Sequence, residues 1–205
     1  MIKPELLFSY LHELYPNAHC ELVYSKDYEF LIAVMLSAQT TDKSVNQATA
    51  ILFKKYQTVE ELAKADLDDV RFIIRHLGMY QVKAQNVIKI ANILVTQFGG
   101  KVPHDADALL AMPGVGNKTK NCVFGELYNE PLLAVDTHMQ RVAKRLGIAD
   151  ERDSVEKIEQ KYMSIIPKER VVKTNHQIIW FGRYFCKAMS PECARCKLKQ
   201  FCKNH

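Results

Sequence analysis

Ala84, Val87, Ile88, Ala91, Leu94, Val95 and Phe98 recur at helical spacing and stop at Gly99-Gly100, a stripe that a long amphipathic helix can bury. Val70, Ile73, Ile74 and Leu77 repeat the pattern up to Gly78, and Met139, Val142, Ala143 and Leu146 repeat it up to Gly147. In each case glycine stands where a left-handed cap belongs. Thr58 with Glu61 and Asp153 with Glu156 have capping-box spacing, and Pro167 follows the stripe Val155, Ile158, Tyr162, Ile165. No alternating apolar and polar run and no Asn-Gly or Asp-Gly dipeptide argues for a sheet. The chain is predicted to be all-α, with helices near 3–14, 28–37, 42–55, 59–64, 67–77, 81–98, 105–111, 116–127, 137–146, 154–165 and 174–187.

With 205 residues there is room for one compact domain or two small interlocked ones. A composition 48% hydrophobic and 25% charged, with 8 Gly and 7 Pro, excludes collagen-like, disordered and low-complexity chains. No internal repeat or flexible linker marks a boundary. The longest apolar run, Phe30 to Leu36, is far shorter than the ~20 residues of a membrane span. The N-terminus lacks the basic start and apolar block of a signal peptide, so a cytoplasmic protein is expected. Lys plus Arg exceeds Asp plus Glu by 28 − 23 = 5, which suits a polyanionic partner and equally an ordinary enzyme.

Between the predicted helices 105–111 and 116–127 lies Pro113-Gly114-Val115-Gly116, followed by Asn117-Lys118-Thr119-Lys120. Two glycines permit positive φ and close approach of a ligand, and the first N–H groups of the second helix carry its positive dipole end. The pattern suits a phosphate cradle, and it also suits a helix hairpin that serves packing alone. Lys118 and Lys120 lie about 200° apart around the helix, so they face different surroundings. A lysine in the first turn of a helix, if partly buried as well, has its neutral, nucleophilic amine favoured. Fully solvated, both lysines are cations giving nonspecific affinity for DNA.

Cys186, Cys193, Cys196 and Cys202 are separated by six, two and five residues, and this clustering points to a metal rather than a disulfide framework. Four thiolates at such spacing suit one tetrahedral zinc ion or one [4Fe–4S] cluster. Lys187, Arg195, Lys197, Lys199 and Lys203 stand around them against Glu192 alone, a set that can reach phosphates or remain solvated loop charge. Cys20 and Cys122 are read as small buried side chains.

Met112-Pro113-Gly114-Val115-Gly116-Asn117-Lys118-Thr119, Ala134-Val135-Asp136-Thr137-His138, Leu36-Ser37-Ala38-Gln39-Thr40-Thr41-Asp42 and the terminal cysteines, in this order, resemble the endonuclease III family of DNA glycosylases over nearly the whole chain. Asn117 and Lys120 depart from that pattern, standing where the family commonly has a basic and a small residue. The resemblance implies a helix-hairpin-helix glycosylase fold in two α lobes with a DNA groove between them. One lobe is a six-helix barrel over 23–131; the other joins 1–22 to 132–205 and carries a [4Fe–4S] cluster loop over 186–202. The resemblance, which extends to the full cysteine spacing and the preceding Phe181-Gly182-Arg183-Tyr184-Phe185, implies iron and sulfur rather than zinc.

By the same resemblance Lys118 is the nucleophile that attacks C1′ of a damaged nucleotide and cleaves the 3′ side by β-elimination, and Asp136 assists charge and proton movement. Taken alone, Asp136 reads equally as a helix N-cap. Gln39 aligns with a glutamine that enters the duplex and Met79 with an apolar wedge; without the alignment they read as a helix terminus and a core residue. Gly114, Val115, Gly116 and Lys120 complete the expected DNA contacts. The resemblance thus implies a monomeric bifunctional glycosylase and apurinic/apyrimidinic lyase acting on oxidised or saturated pyrimidines in duplex DNA. A non-catalytic binder of distorted DNA with a structural metal, and a cluster-bearing electron carrier, are the alternatives.

Overall fold

The computed structural model describes residues 2–203, so the outermost ends of the predicted lobes, at positions 1, 204 and 205, lie outside it. Helices account for the regular structure of the described residues, and no strand occurs among them. The chain forms two compact units. One runs from Glu21 to Tyr128, and the other joins the segment up to Cys20 to the segment from Asn129 onward.

The Glu21–Tyr128 unit holds α2 (Asp27–Leu36), α3 (Asp42–Lys55), α4 (Val59–Ala63), α5 (Leu67–Ile74), α6 (Tyr80–Phe98), α7 (Ala106–Leu110) and α8 (Asn117–Tyr128). Its centre is α2, buried without a break from Tyr28 to Leu36, which is why its sequence is apolar on all sides instead of striped. Helices α3, α6 and α8 pack on it, α4 and α5 pack on α6, and α7 pairs with α8. The buried face of α6 is Lys83, Ala84, Val87, Ile90, Ala91 and Leu94. It is turned slightly from the predicted stripe, since Ile88, Val95 and Phe98 are only half-buried.

The other unit consists of α1 (Pro4–Leu14), α9 (Thr137–Arg145), α10 (Val155–Met163), α11 (Val171–Trp180) and the cysteine loop. Leu7, Leu11, Met139, Val142, Tyr162, Ile178 and Phe181 form its core. Tyr10 meets Phe181 and Phe185 edge-on, and those two rings stack at 5.3 Å. Leu198 is the one buried residue between Lys187 and Lys203, so a single leucine, contributing about 2 kcal/mol, fastens an otherwise irregular loop to this core.

Several boundaries differ from the sequence reading. The helix expected over 174–187 begins at Val171 and passes at Phe181 into a wider π-type turn that ends before Cys186. The capping box at Thr58 and Glu61 forms, whereas Asp153 does not cap α10. Ser154 takes that place, accepting from the N–H of Lys157, while Asp153 binds the N–H of Asp150 and Nζ of Lys161. Gly99 and Gly147 adopt the left-handed conformation, but after α5 the residue in that conformation is Met79, not Gly78. Cys20 and Cys122 are half-buried, not fully buried.

Candidate active site

Asp105 caps α7 by accepting the N–H of Ala108 at 2.8 Å. The chain then turns through Val115 N–H donating to the Met112 carbonyl, and α8 starts with Lys120 N–H donating to the Gly116 carbonyl. Gly114 has φ +79°, and a Cβ there would lie 2.8 Å from Nδ2 of Asn86 and 3.2 Å from Cγ of Met35, so the turn is drawn tightly onto α6 and α2. Gly116 meets nothing in this way and its φ is not positive; its use is openness, not conformation. Met112 and Val115 are buried anchors, while Gly114, Gly116, Asn117 and Lys118 are exposed. What Val115 offers to the surface is therefore backbone. Lys118 lacks the partial burial that would favour its neutral amine, so water leaves that amine only when a partner covers it.

Asp136 is the N-cap of α9. Its Oδ1 accepts the N–H of Met139 at 2.8 Å, and the second carboxylate oxygen has no partner among the described residues. The segment before it is fixed by Asn175, whose buried Oδ1 accepts the N–H of Ala134 at 3.1 Å. Beneath the cap, the hydroxyl of fully buried Tyr162 donates to the Met139 carbonyl at 3.0 Å, and burial pushes that phenol well above its ordinary range.

Gln39 and Met79 stand out for a backbone reason that sequence did not reveal. Their φ values are +54° and +57°, a region costing a residue with a Cβ roughly 1–3 kcal/mol, and both side chains are exposed. Met79 is thus a surface residue, not a core one. Gly78 backs onto this point, a Cβ on it lying 3.8 Å from the Gln39 carbonyl. Lys83 completes the cluster. It is buried, it donates to Ala38 and Thr40 on either side of Gln39, and desolvation holds its amine below the usual lysine range. Sequence reasoning passed over it, although a charged residue opening the spacing Lys83, Val87, Ile90, Leu94 was a visible signal.

The four terminal cysteines line one cavity of about 150 Å³ together with Phe181 and Phe185, and none is in a disulfide. No three Cys, His, Asp or Glu side chains among the described residues are gathered as ligands of one ion. Four thiols around one cavity can hold a single group that ligates all of them, whether a zinc ion or an iron–sulfur cluster. Burial, followed by the charge of the neighbouring sulfurs, raises the Cys196 thiol above its ordinary value. Arg145 spans one wall, its Nη1 donating to Sγ of Cys186 at 3.3 Å and to the Lys187 carbonyl at 2.8 Å; Arg141 donates from Nε to the Cys186 carbonyl. The basic side chains of the loop are less free than Glu192 alone would suggest. Lys187 and Arg195 both pair with Glu192, Lys197 pairs with Glu13, and Lys203 with Asp150.

Comparison with known proteins fits this arrangement. Residues 32–168 match the HhH-GPD superfamily of base excision DNA repair proteins. Endonuclease III of Bacillus subtilis (strain 168) is 43% identical over 199 residues, covering 97% of this chain and 91% of the relative. The chain belongs to the endonuclease III family. Endonuclease III of Escherichia coli (strain K12) is 42% identical over 94% of this chain and 90% of its own.

Among solved structures, a trapped endonuclease III–DNA covalent intermediate superposes with a TM-score of 0.93 at 43% identity, covering 99% of this chain and 97% of that one. A non-covalent endonuclease III–DNA complex gives the same score and identity, with 99% and 96% covered. A thermostable thymine-DNA glycosylase, TM-score 0.86 at 21% identity, shares the fold. Membership of the endonuclease III family brings the expected all-helical helix-hairpin-helix architecture and the class of enzyme, a base excision repair glycosylase and lyase. No helix among the described residues is long and apolar enough to cross a membrane.

Proposed function

We propose that this endonuclease III family protein removes oxidised or saturated pyrimidines from duplex DNA and cleaves the strand 3′ to the vacated sugar, with Lys118 as nucleophile. The observation that carries the reading is the position of Lys118: exposed, in the first turn of α8, directly after an anchored turn whose Gly116 leaves the backbone open. DNA phosphate at that helix terminus would meet unpaired N–H groups and the positive dipole end, bringing the sugar to the amine and removing its water.

The neutral Lys118 amine attacks C1′; the bond from C1′ to the base breaks, and the base leaves with the electron pair and takes up a proton. Ring opening gives a Schiff base between Lys118 and C1′. Loss of a proton from C2′ then expels the 3′ phosphate oxygen. Asp136, held by its cap to Met139, keeps one carboxylate oxygen for the positive charge that grows on the sugar as the base departs. Its capping and catalytic uses are compatible because they need different oxygens.

Extrusion of the damaged nucleotide leaves a hole in the stack, and Gln39 and Met79, exposed on strained backbone, are the side chains that fill it in this reading. Lys120, half-buried and on another side of α8, contacts phosphate. Cys186, Cys193, Cys196 and Cys202, which line one cavity, would hold a [4Fe–4S] cluster. Bound there, it cross-links the loop that carries the basic side chains. With about −2 from the cluster and its thiolates, the formal charge of +5 becomes roughly +3, so affinity rests on where charges stand. The protein acts as a monomer in the cytoplasm, where it meets DNA.

The test is borohydride reduction on an abasic duplex. A covalent protein–DNA adduct is expected from the native chain and not from Lys118→Ala; an adduct undiminished in that variant would assign the chemistry to another amine.

A further inference from the structure

Lys83 sits on the buried face of α6 with 3% of its surface exposed and no carboxylate paired with it among the described residues. A bare cation in such a place calls for a reason, since an apolar residue of similar length would fill the space without the cost of stripping water from a charge. The hydrogen bonds supply one. Nζ donates to the Ala38 carbonyl at 2.8 Å and to Oγ1 of Thr40 at 2.9 Å, the residues immediately before and after Gln39. The backbone N–H at the same position donates to the Met79 carbonyl at 3.0 Å, the first i→i−4 bond of α6, which any residue but proline would make there. One residue therefore grips Gln39 and Met79, two of the four exposed non-glycine side chains on left-handed backbone, the others being Asn129 and Ser190.

We propose that Lys83 is a positioning residue for base extrusion, its ammonium fixing the backbone on both sides of Gln39 and its main chain fixing Met79, so that the two side chains meet the duplex as one preset pair. This rests on the reading that Gln39 and Met79 enter the duplex. Lys83 itself is buried and touches no DNA. Held in advance, the pair needs no ordering when the nucleotide leaves the stack, so Lys83 matters where a paired base must be extruded and little where none is present.

Lys83→Met keeps the apolar stem and removes the three ammonium donors, and Thr40→Val removes one acceptor while keeping shape. Single-turnover rates at saturating enzyme are compared on a duplex with a paired oxidised pyrimidine and on a duplex with a preformed abasic site. Fluorescence of 2-aminopurine beside the lesion reports extrusion directly. Lys83→Met is expected to slow the paired lesion and its fluorescence change tenfold or more while staying within threefold on the abasic duplex, with Thr40→Val smaller in the same direction. In a Gln39→Ala background Lys83→Met should add little, because it acts through that residue.

Equal losses on both duplexes, no loss on the paired lesion, or full additivity with Gln39→Ala would overturn the proposal. Should Lys83→Met fail to fold, Thr40→Val carries the same comparison. A Gln39→Ala variant that extrudes and excises normally would instead overturn the reading of Gln39, and an absent borohydride adduct in the native chain would overturn that of Lys118.

Discussion

Oδ1 of Asp136 accepts the backbone N–H of Met139 at 2.8 Å, so the carboxylate read as catalytic is also the cap of α9. Two substitutions separate the roles. Asparagine caps as well as aspartate, so Asp136→Asn should leave stability within about 0.5 kcal/mol while lowering excision by roughly 10²-fold. Asp136→Ala should lose that activity and about 1 kcal/mol of stability besides. Thermal unfolding with single-turnover excision checks both, and an active Asp136→Asn protein would reduce Asp136 to a cap.

The two lysines of α8 should behave differently. Lys118 is exposed, so Lys118→Ala should shift stability by less than about 0.5 kcal/mol while abolishing the trapped adduct. Lys120→Ala should keep the adduct, weaken binding to all duplexes alike, and reduce the salt dependence of log K by about 0.9 if the amine neutralises one phosphate. Binding isotherms at several salt concentrations read this out.

The glycines of the hairpin differ just as sharply. Gly114→Ala forces a Cβ to φ +79° and to within 2.8 Å of Asn86 Nδ2, which should cost about 1–3 kcal/mol. Gly116→Ala meets no atom and should fold with a nearly unchanged Tm, yet bind DNA less tightly where its Cβ stands between phosphate and backbone. A Gly116→Ala protein with native affinity would show that phosphate does not approach there.

The helices were legible because stripe, cap and glycine agree in most of them; Thr58 with Glu61 and the break around Gly114 are cases where local chemistry leaves one solution. The misses have a common cause. Ser154 and Asp153 are both good caps one residue apart, and the pull of Lys161 and of the Asp150 N–H on Asp153 decides between them. Gly78 looked like the left-handed residue, but the backbone places that conformation on Met79, against intrinsic preference. Lys83 and the carboxylates Glu13 and Asp150 that meet the cysteine loop depend on neighbours distant in sequence. The clustering of the cysteines points to a metal from spacing alone, but the choice between zinc and iron–sulfur came only with the family resemblance.

Burial, ahead of neighbouring carboxylates, pushes Tyr28 up to about 12; burial and then the hydrogen bond to Asp69 do the same for Tyr56. A phenol whose folded pKa lies above the unfolded value of about 10 keeps its proton in the native state after the unfolded chain has lost it. The native state then binds more protons, so stability must fall as pH rises from about 10 towards 12. Below pH 10 neither residue changes stability with pH. Urea unfolding between pH 8 and 12 should show this decline, and Tyr28→Phe should make it shallower; tyrosine absorbance that titrates wholly near pH 10 in the native protein would contradict it.

The cysteine cavity allows a metal-removal test that depends on the two-unit architecture. Without a bound group the loop keeps Leu198, hydrogen bonds from Tyr10, Arg141 and Arg145, and exposed ion pairs to Glu13 and Asp150. Exposed pairs contribute only about 0–1 kcal/mol each, too little to order some fifteen residues at 1–2 kcal/mol apiece. Cys196→Ser, or oxidative removal of iron, should therefore melt the loop, and with it the segment packed on Phe181 and Phe185, while the helices of Glu21–Tyr128 stay folded. Hydrogen exchange should rise over 186–203 and stay low over α2 and α6. Iron and sulfide analysis of the native protein should give about four of each per chain, and one zinc in their place would change the identity of the group without changing where it is held.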